Sequence, residues 1–237
     1  MKKLGLVGRI GPESTLDYYK GIISGFRSRT RGAGYPLMVI DSLDLDEMYH
    51  LADTKDWDPF TDRLVSSLER LAAAGADFGA MAANTAHIVF DRVRERSPLP
   101  IIGIVEETCK YAKARGCKRV VVFGTGFTMS SGMYTQAFAK YDIEAFVPTL
   151  EEQKAIHGVI FPNLQEGIVL PEEKRLVLSI ANRVIRETKA DALVLGCTEL
   201  PLIIEEGDLD VLLLDTTQIH IEAIIDYMLG QELSEDL

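Results

Sequence analysis

Leu4–Gly8 is an apolar run that breaks into Gly11-Pro12-Glu13-Ser14-Thr15, and 116 residues later Val120–Gly124 breaks into Thr125-Gly126-Phe127-Thr128. A second landmark recurs at nearly the same distance. Ala76-Asp77, an apolar run and Ala83-Asn84-Thr85 are matched 114 residues on by Ala190-Asp191, an apolar run and Cys197-Thr198-Glu199. Two landmarks repeating at about half of a 237-residue length imply an internal duplication into two similar halves of ordinary domain size. Within each half, short apolar runs alternate with helical spacing. Strands are expected at Leu4–Gly8, Leu37–Ile40, Phe78–Ala83, Ile101–Val105, Val120–Gly124, Ala192–Gly196 and Val211–Leu214, and helices at 13–27, 60–74, 88–95, 108–115, 174–187 and 219–229. That alternation predicts an α/β chain of two pseudo-symmetric subdomains, each a mainly parallel sheet flanked by helices on both faces. The expected division is residues 1–97 plus 210–237 for the first half and 98–209 for the second. Ligands of open α/β sheets bind beyond the carboxyl ends of the strands, so the active site is expected in the cleft between the halves.

Composition removes several classes of partner. With 25 Lys and Arg against 36 Asp and Glu the net charge is −11, and no basic cluster exceeds two residues, so a phosphate backbone would be repelled and nucleic acid is a poor partner. The apolar runs are far too short for a membrane span. The stretch after Met1-Lys2-Lys3 ends at Gly8-Arg9, and no export signal is read there. Cys109, Cys117 and Cys197 show no C-x-x-C spacing, and the four histidines no H-x-x-H or H-E-x-x-H spacing. A reduced, cytoplasmic protein without a metal centre is expected. Gly8 and Gly11 lack the third glycine of a dinucleotide fingerprint, and there is no Gly-Lys-Ser/Thr phosphate loop.

The chemistry therefore gathers at the strand ends. Asn84, Thr85, Thr125, Thr128 and Thr198 supply amide and hydroxyl groups where strands run into helices, which suits a carboxylate. Each of them singly reads equally well as an N-cap. Cys197 stands at a strand's carboxyl end, where a following helix is expected to lower its pKa and make it a base or nucleophile. Cys109 and Cys117 read as inert buried thiols. His87 is read as a buttress for the Asn84-Thr85 loop, and His220 as part of the start of the last helix. Acidic Asp41–Glu47 reads as a solvated loop, and Trp57-Asp58-Pro59 as a helix entry.

Gly-Leu-Val-Gly-x-x-Gly-Pro-Glu-Ser-Thr at 5–15, Asn-Thr-Ala-His at 84–87, Gly-Thr-x-x-Thr-Met at 124–129 and Gly-Cys-Thr-Glu-Leu at 196–200 resemble the aspartate/glutamate racemase family. Asp215-Thr216 with Ile219-His220 matches the family's C-terminal pattern, and the resemblance covers nearly the whole chain. It implies a homodimer that needs no cofactor and racemises a small amino acid or dicarboxylate substrate at its α-carbon. One cysteine from each half would flank that carbon, one taking the proton and the other returning it. On this resemblance Cys197 and position 83 are the catalytic pair. Arg9, Ile10, Asn84, Thr85, Thr125, Thr128, Thr198 and Glu199 form the substrate-binding set. The chain departs from the family at three places. Position 83 is alanine, which neither accepts nor donates a proton; Arg9 stands where glycine is usual; and Ala52, after the second strand, offers no polar contact.

Three readings stay open from the sequence: a racemase whose activity is impaired, one-sided or engineered away at Ala83, a single-cysteine decarboxylase of the arylmalonate type, and a non-catalytic amino-acid-binding protein. A cation at Arg9 could pair with a substrate's side-chain carboxylate or simply be solvated.

Overall fold

A computed structural model of the chain describes residues 1–8 and 12–230. Along the chain the elements run β1 (Leu4–Gly8), α1 (Pro12–Arg29), β2 (Met38–Ser42), α2 (Leu45–Asp53), α3 (Trp57–Ala73), β3 (Phe78–Met81), α4 (Phe90–Arg96), β4 (Ile101–Ile102) and α5 (Ile104–Ala114). They continue with β5 (Arg119–Gly124), α6 (Gly126–Ser130), α7 (Met133–Ala139), β6 (Glu144–Phe146), α8 (Leu150–Ile160), α9 (Pro171–Thr188), β7 (Ala192–Gly196), β8 (Leu212–Asp215) and α10 (Thr216–Met228). Among the described residues the strands form two four-stranded, all-parallel sheets, ordered β2-β1-β3-β4 and β6-β5-β7-β8. The second order repeats the first.

Register matches the spacing of the sequence landmarks. Val7 lies opposite Met81 in the first sheet, and Phe123 opposite Leu195 in the second. The aspartates of the Ala-Asp pairs do the same work in each sheet. Asp77 Oδ2 accepts from the Lys3 amide at 2.6 Å, and Asp191 Oδ2 accepts from the Lys118 and Arg119 amides at 2.7 and 2.9 Å. Each carboxylate thereby clamps the start of the central strand of its own sheet.

Strands buried on both faces read as continuous apolar runs, and side chains alternate between faces. Leu4, Leu6, Phe78 and Ala80 pack with Tyr18, Ile22 and Phe26 of α1 and with Ile221, Ile224, Ile225 and Met228 of α10. Val7 and Met81 point the other way, onto Leu64, Leu68 and Leu71 of α3. In the second sheet Val121, Phe123, Leu193 and Leu195 meet Ile156, Val159 and Ile160 of α8 and Val177, Ile180, Ala181 and Val184 of α9.

The compact units are residues 1–104 with 220–237, and residues 105–219. This differs from the division expected at 97/98 and 209/210. Ile101–Ile102 pair with β3 and so join the first sheet, while Leu212–Asp215 pair with β7 and so join the second. The Asp41–Glu47 segment is not a solvated loop. Asp41 lies in β2 and pairs with Arg70, Asp44 caps α2 by accepting from the Asp46 and Glu47 amides, and Glu47 pairs with Arg63. Ala52 accordingly sits in a helix, packed against the first core. Among the described residues no helix is long and apolar enough to cross a membrane.

Candidate active site

Each unit presents one set of strand-end residues. In the first, the ladder continues one residue past β3, because the Ala82 amide donates to Val7 O at 2.9 Å. The chain then turns through Asn84, at φ −64° and ψ −45°, into a 3₁₀ turn at Thr85–Val89. The three carbonyls at this turn each have a donor beneath them. Ser14 Oγ donates to Ala82 O at 2.9 Å, His87 Nδ1 to Ala83 O at 2.9 Å, and the His87 amide to Asn84 O at 3.0 Å. Asn84 is buried, Ala83 and Thr85 half-buried. The His87 ring stays neutral, pushed down to about 4 chiefly by burial.

In the second unit Gly124 and Gly196 lie side by side at the ends of β5 and β7. A Cβ on Gly124 would meet Thr128 Cβ at 2.9 Å, and one on Gly196 would meet Phe123 O at 2.8 Å and Thr128 Cγ2 at 3.2 Å. Only glycine lets Thr128 settle over both strand ends. Thr125 is the N-cap of α6: its hydroxyl accepts from the Thr128 amide at 3.2 Å and lies 3.1 Å from the Thr128 hydroxyl. For Thr125 the capping role is thus real. For Asn84 no side-chain cap bond forms.

Beside this pair stands Cys197. Its half-buried thiol donates to Glu199 Oε2 at 2.8 Å, and Glu199 is only 6% exposed. The expected lowering of the thiol pKa does not occur. Burial raises it well above the usual thiol value, and the Glu199 carboxylate raises it further by charge and by accepting the S–H bond; backbone amides of Glu199 and Thr198 pull the other way and lose. The chain past Cys197 forms only a three-residue 3₁₀ turn, Leu200–Leu202, whose dipole is too short to overcome a neighbouring buried carboxylate. At rest the group is a thiol hydrogen-bonded to an acceptor.

Cys109 and Cys117 are buried, and burial raises both, as expected of inert thiols. The structure brings Thr125, Thr128, Cys197, Thr198 and Glu199 to adjacent strand ends of one sheet, and Ala83, Asn84 and Thr85 to the corresponding place in the other. Arg9 and Ile10 lie outside the described residues. The carboxylate partner of the thiol was missed as such from sequence. The signal was the i, i+2 spacing of Cys197 and Glu199 on a turn, which can place two side chains on one side. Among the described residues no group of three or more His, Cys, Asp or Glu could hold a metal ion.

Comparison with known proteins places the chain among racemases. The Asp/Glu/hydantoin racemase profile matches residues 7–224. The broad specificity amino-acid racemase RacX of Bacillus subtilis is 24% identical over 220 residues, 90% of this chain and 92% of that protein. A glutamate racemase of Corynebacterium kroppenstedtii is 26% identical over 76% of this chain, which spans 64% of that enzyme's length. Among solved structures, a Yersinia pestis protein described as an Asp/Glu racemase superposes with a TM-score of 0.91 at 28% identity, covering 97% of this chain and all of that one. An aspartate racemase homologue of Pyrococcus horikoshii OT3 gives 0.87 at 31% identity, over the same shares.

Proposed function

Because the chain belongs to the Asp/Glu/hydantoin racemase family, we propose that it moves a proton at the α-carbon of an amino acid such as aspartate or glutamate, with Cys197 as the acid/base and without pyridoxal phosphate. The observation that carries this reading is the 2.8 Å bond from Cys197 Sγ to the buried Glu199 carboxylate. A raised thiol is a poor base by itself. Passing its proton along that bond to Glu199 leaves a thiolate, which takes the α-proton; the reverse sequence returns it. The carbanion is held as an enediolate, whose developing charge needs donors on the substrate carboxylate. Asn84, Thr85 and Thr198 fill that role, with Thr125 and Thr128 for a further carboxylate and Arg9 and Ile10 completing the set.

Ala83 offers no proton, so the chemistry is one-sided: Cys197 exchanges the α-proton of one enantiomer, and inversion is lost for want of a second group. The test is incubation with L- and D-aspartate and L- and D-glutamate in heavy water, following α-proton exchange by NMR and handedness by chiral chromatography. Exchange at one hand without inversion is expected, its loss in Cys197→Ser, and inversion in Ala83→Cys. Exchange that survives Cys197→Ser overturns the assignment.

One observation favours a second reading. A thiol protonated at rest is ready to donate, and decarboxylation of a substituted malonate leaves a carbanion that needs a single proton. Carbon dioxide release from such a malonate, absent in Cys197→Ser, with no exchange on any amino acid, would select it.

A further inference from the structure

The first unit contains a buried polar chain that the reaction above does not use. Tyr18 Oη and His220 Nδ1 are 2.7 Å apart, and His220 Nε2 lies 3.0 Å from Ile102 O. Two residues on, the Ile104 amide donates to His87 Nε2 at 3.1 Å, and His87 Nδ1 lies 2.9 Å from Ala83 O. The partners fix the tautomers. A carbonyl can only accept, so His220 carries its proton on Nε2 and accepts from the tyrosine at Nδ1. A main-chain amide can only donate, so His87 accepts at Nε2 and donates from Nδ1 to Ala83 O. The two rings are edge-to-face, 6.2 Å apart, and His87 also stacks on Phe90. Both histidines and Tyr18 are buried.

The duplicated half serves as an internal control. At the same 114-residue offset Ala83 corresponds to Cys197 and His87 to Pro201. The Cys197 carbonyl accepts from the Leu200 amide at 3.2 Å, an ordinary turn bond within the backbone. One strand end is therefore closed by its own main chain. The other is closed by an imidazole that is itself held by β4's exit and, through His220, by α1 and α10.

We propose that His87 is a positioning residue: its Nδ1–H, locked by the Ile104 amide behind it, fixes the Ala83 carbonyl and thereby aims the Asn84 donor at the substrate. This rests on the assignment of Asn84 to the carboxylate. Donors of this kind must be held within about 0.5 Å of productive geometry, and a displacement of about 1 Å costs on the order of 100-fold in rate.

Two substitutions separate the ring's two bonds. In His87→Asn the amide nitrogen falls where Nδ1 was, keeping the donor to Ala83 O and losing the acceptor for Ile104. In His87→Gln the amide oxygen falls near Nε2, keeping that acceptor and losing the donor. The readouts are α-proton exchange resolved into kcat and KM, thermal unfolding, and hydrogen exchange of the His87 amide by NMR. Both variants should lower Tm. Only His87→Gln should lose kcat, by about 100-fold with KM little changed, and only it should lose protection of the residue-87 amide. Equal kcat losses in the two variants, or a wild-type kcat in His87→Gln, overturn the proposal. If the unaltered protein exchanges no amino acid, the assignment of function fails, and the positioning claim is then decided by amide protection: similar protection in both variants overturns it.

Discussion

Lowering the pH from 7 to 5 should cost this protein much of its stability, and two buried histidines account for the loss. In the folded chain His87 is pushed down to about 4 and His220 to about 3, burial being the first cause for both, with the neighbouring histidine adding to the shift of His220. In the unfolded chain each returns to about 6.5. A depressed histidine is neutral when folded, so between about 6.5 and the folded values the unfolded state binds more protons, and stability rises with pH. It is present above pH 6.5 and lost as the solution is acidified. Integrating the proton difference from pH 7 to pH 5 gives about 2 kcal/mol for each histidine, or about 4 kcal/mol together. That is a large part of the roughly 5–15 kcal/mol a folded protein commands. Asp41, Glu152, Asp191 and Asp208 are all lowered and act below this window. Asp215, raised by burial, works with the opposite sign. Urea unfolding at half-unit pH steps measures the slope. His87→Gln and His220→Gln should each remove about half of it. A urea midpoint unchanged from pH 7 to pH 5, or a double variant that keeps the full slope, would refute the reasoning.

Three further outcomes rest on local geometry. In Glu199→Gln the charge that raises the Cys197 thiol is gone, so its pKa falls and alkylation by iodoacetamide at neutral pH quickens, while α-proton exchange slows for want of a proton acceptor. In Gly196→Ala the new methyl lies 2.8 Å from the Phe123 carbonyl, a backbone atom that cannot step aside; the overpacking should cost about 1–3 kcal/mol, seen as a Tm lowered by roughly 2–12 °C. Thr149→Ala removes the hydroxyl half of the capping box that opens α8, taking the acceptor from the Glu152 amide while the residue-149 amide still donates to the Glu152 carboxylate; calorimetry should show a loss of about 1 kcal/mol.

The parts of this molecule that are legible in its sequence are those set by short-range pattern. β1 at Leu4–Gly8 and β7 at Ala192–Gly196 are unbroken apolar runs bounded by glycine, and Trp57 does open α3. The segment from Gly126 to Glu166 carries no comparable signal in its first part. α6 and α7 are too short for a clear periodicity, and α8 is marked only by the Thr149-Leu150-Glu151-Glu152 box at its start. The division at 97 and 209 differs from the compact units because the sheet that a strand joins is set by its partner, β3 for β4 and β7 for β8, and that partner is invisible in one dimension. Cys197 misled for a different reason. A helix-start argument weighs the backbone alone, and it was overruled by the burial of the thiol and by the carboxylate two residues away. The Tyr18–His220 bond joins residues 202 apart, beyond the reach of any local rule.

The boundaries of the two units have a consequence for how the chain is made. Leu4, Leu6 and Phe78 are covered in part by Ile221, Ile224, Ile225 and Met228, and these belong to α10, which follows the whole second sheet in the sequence. The first unit of a nascent polypeptide therefore emerges with one flank of its sheet bare, and closes it only after residues 105–219 have also been made. Residues 105–219, contiguous in the message, have no such wait. Of the two units the one that begins first is completed second, and a fragment ending at residue 104 would lack the helix that seals its core.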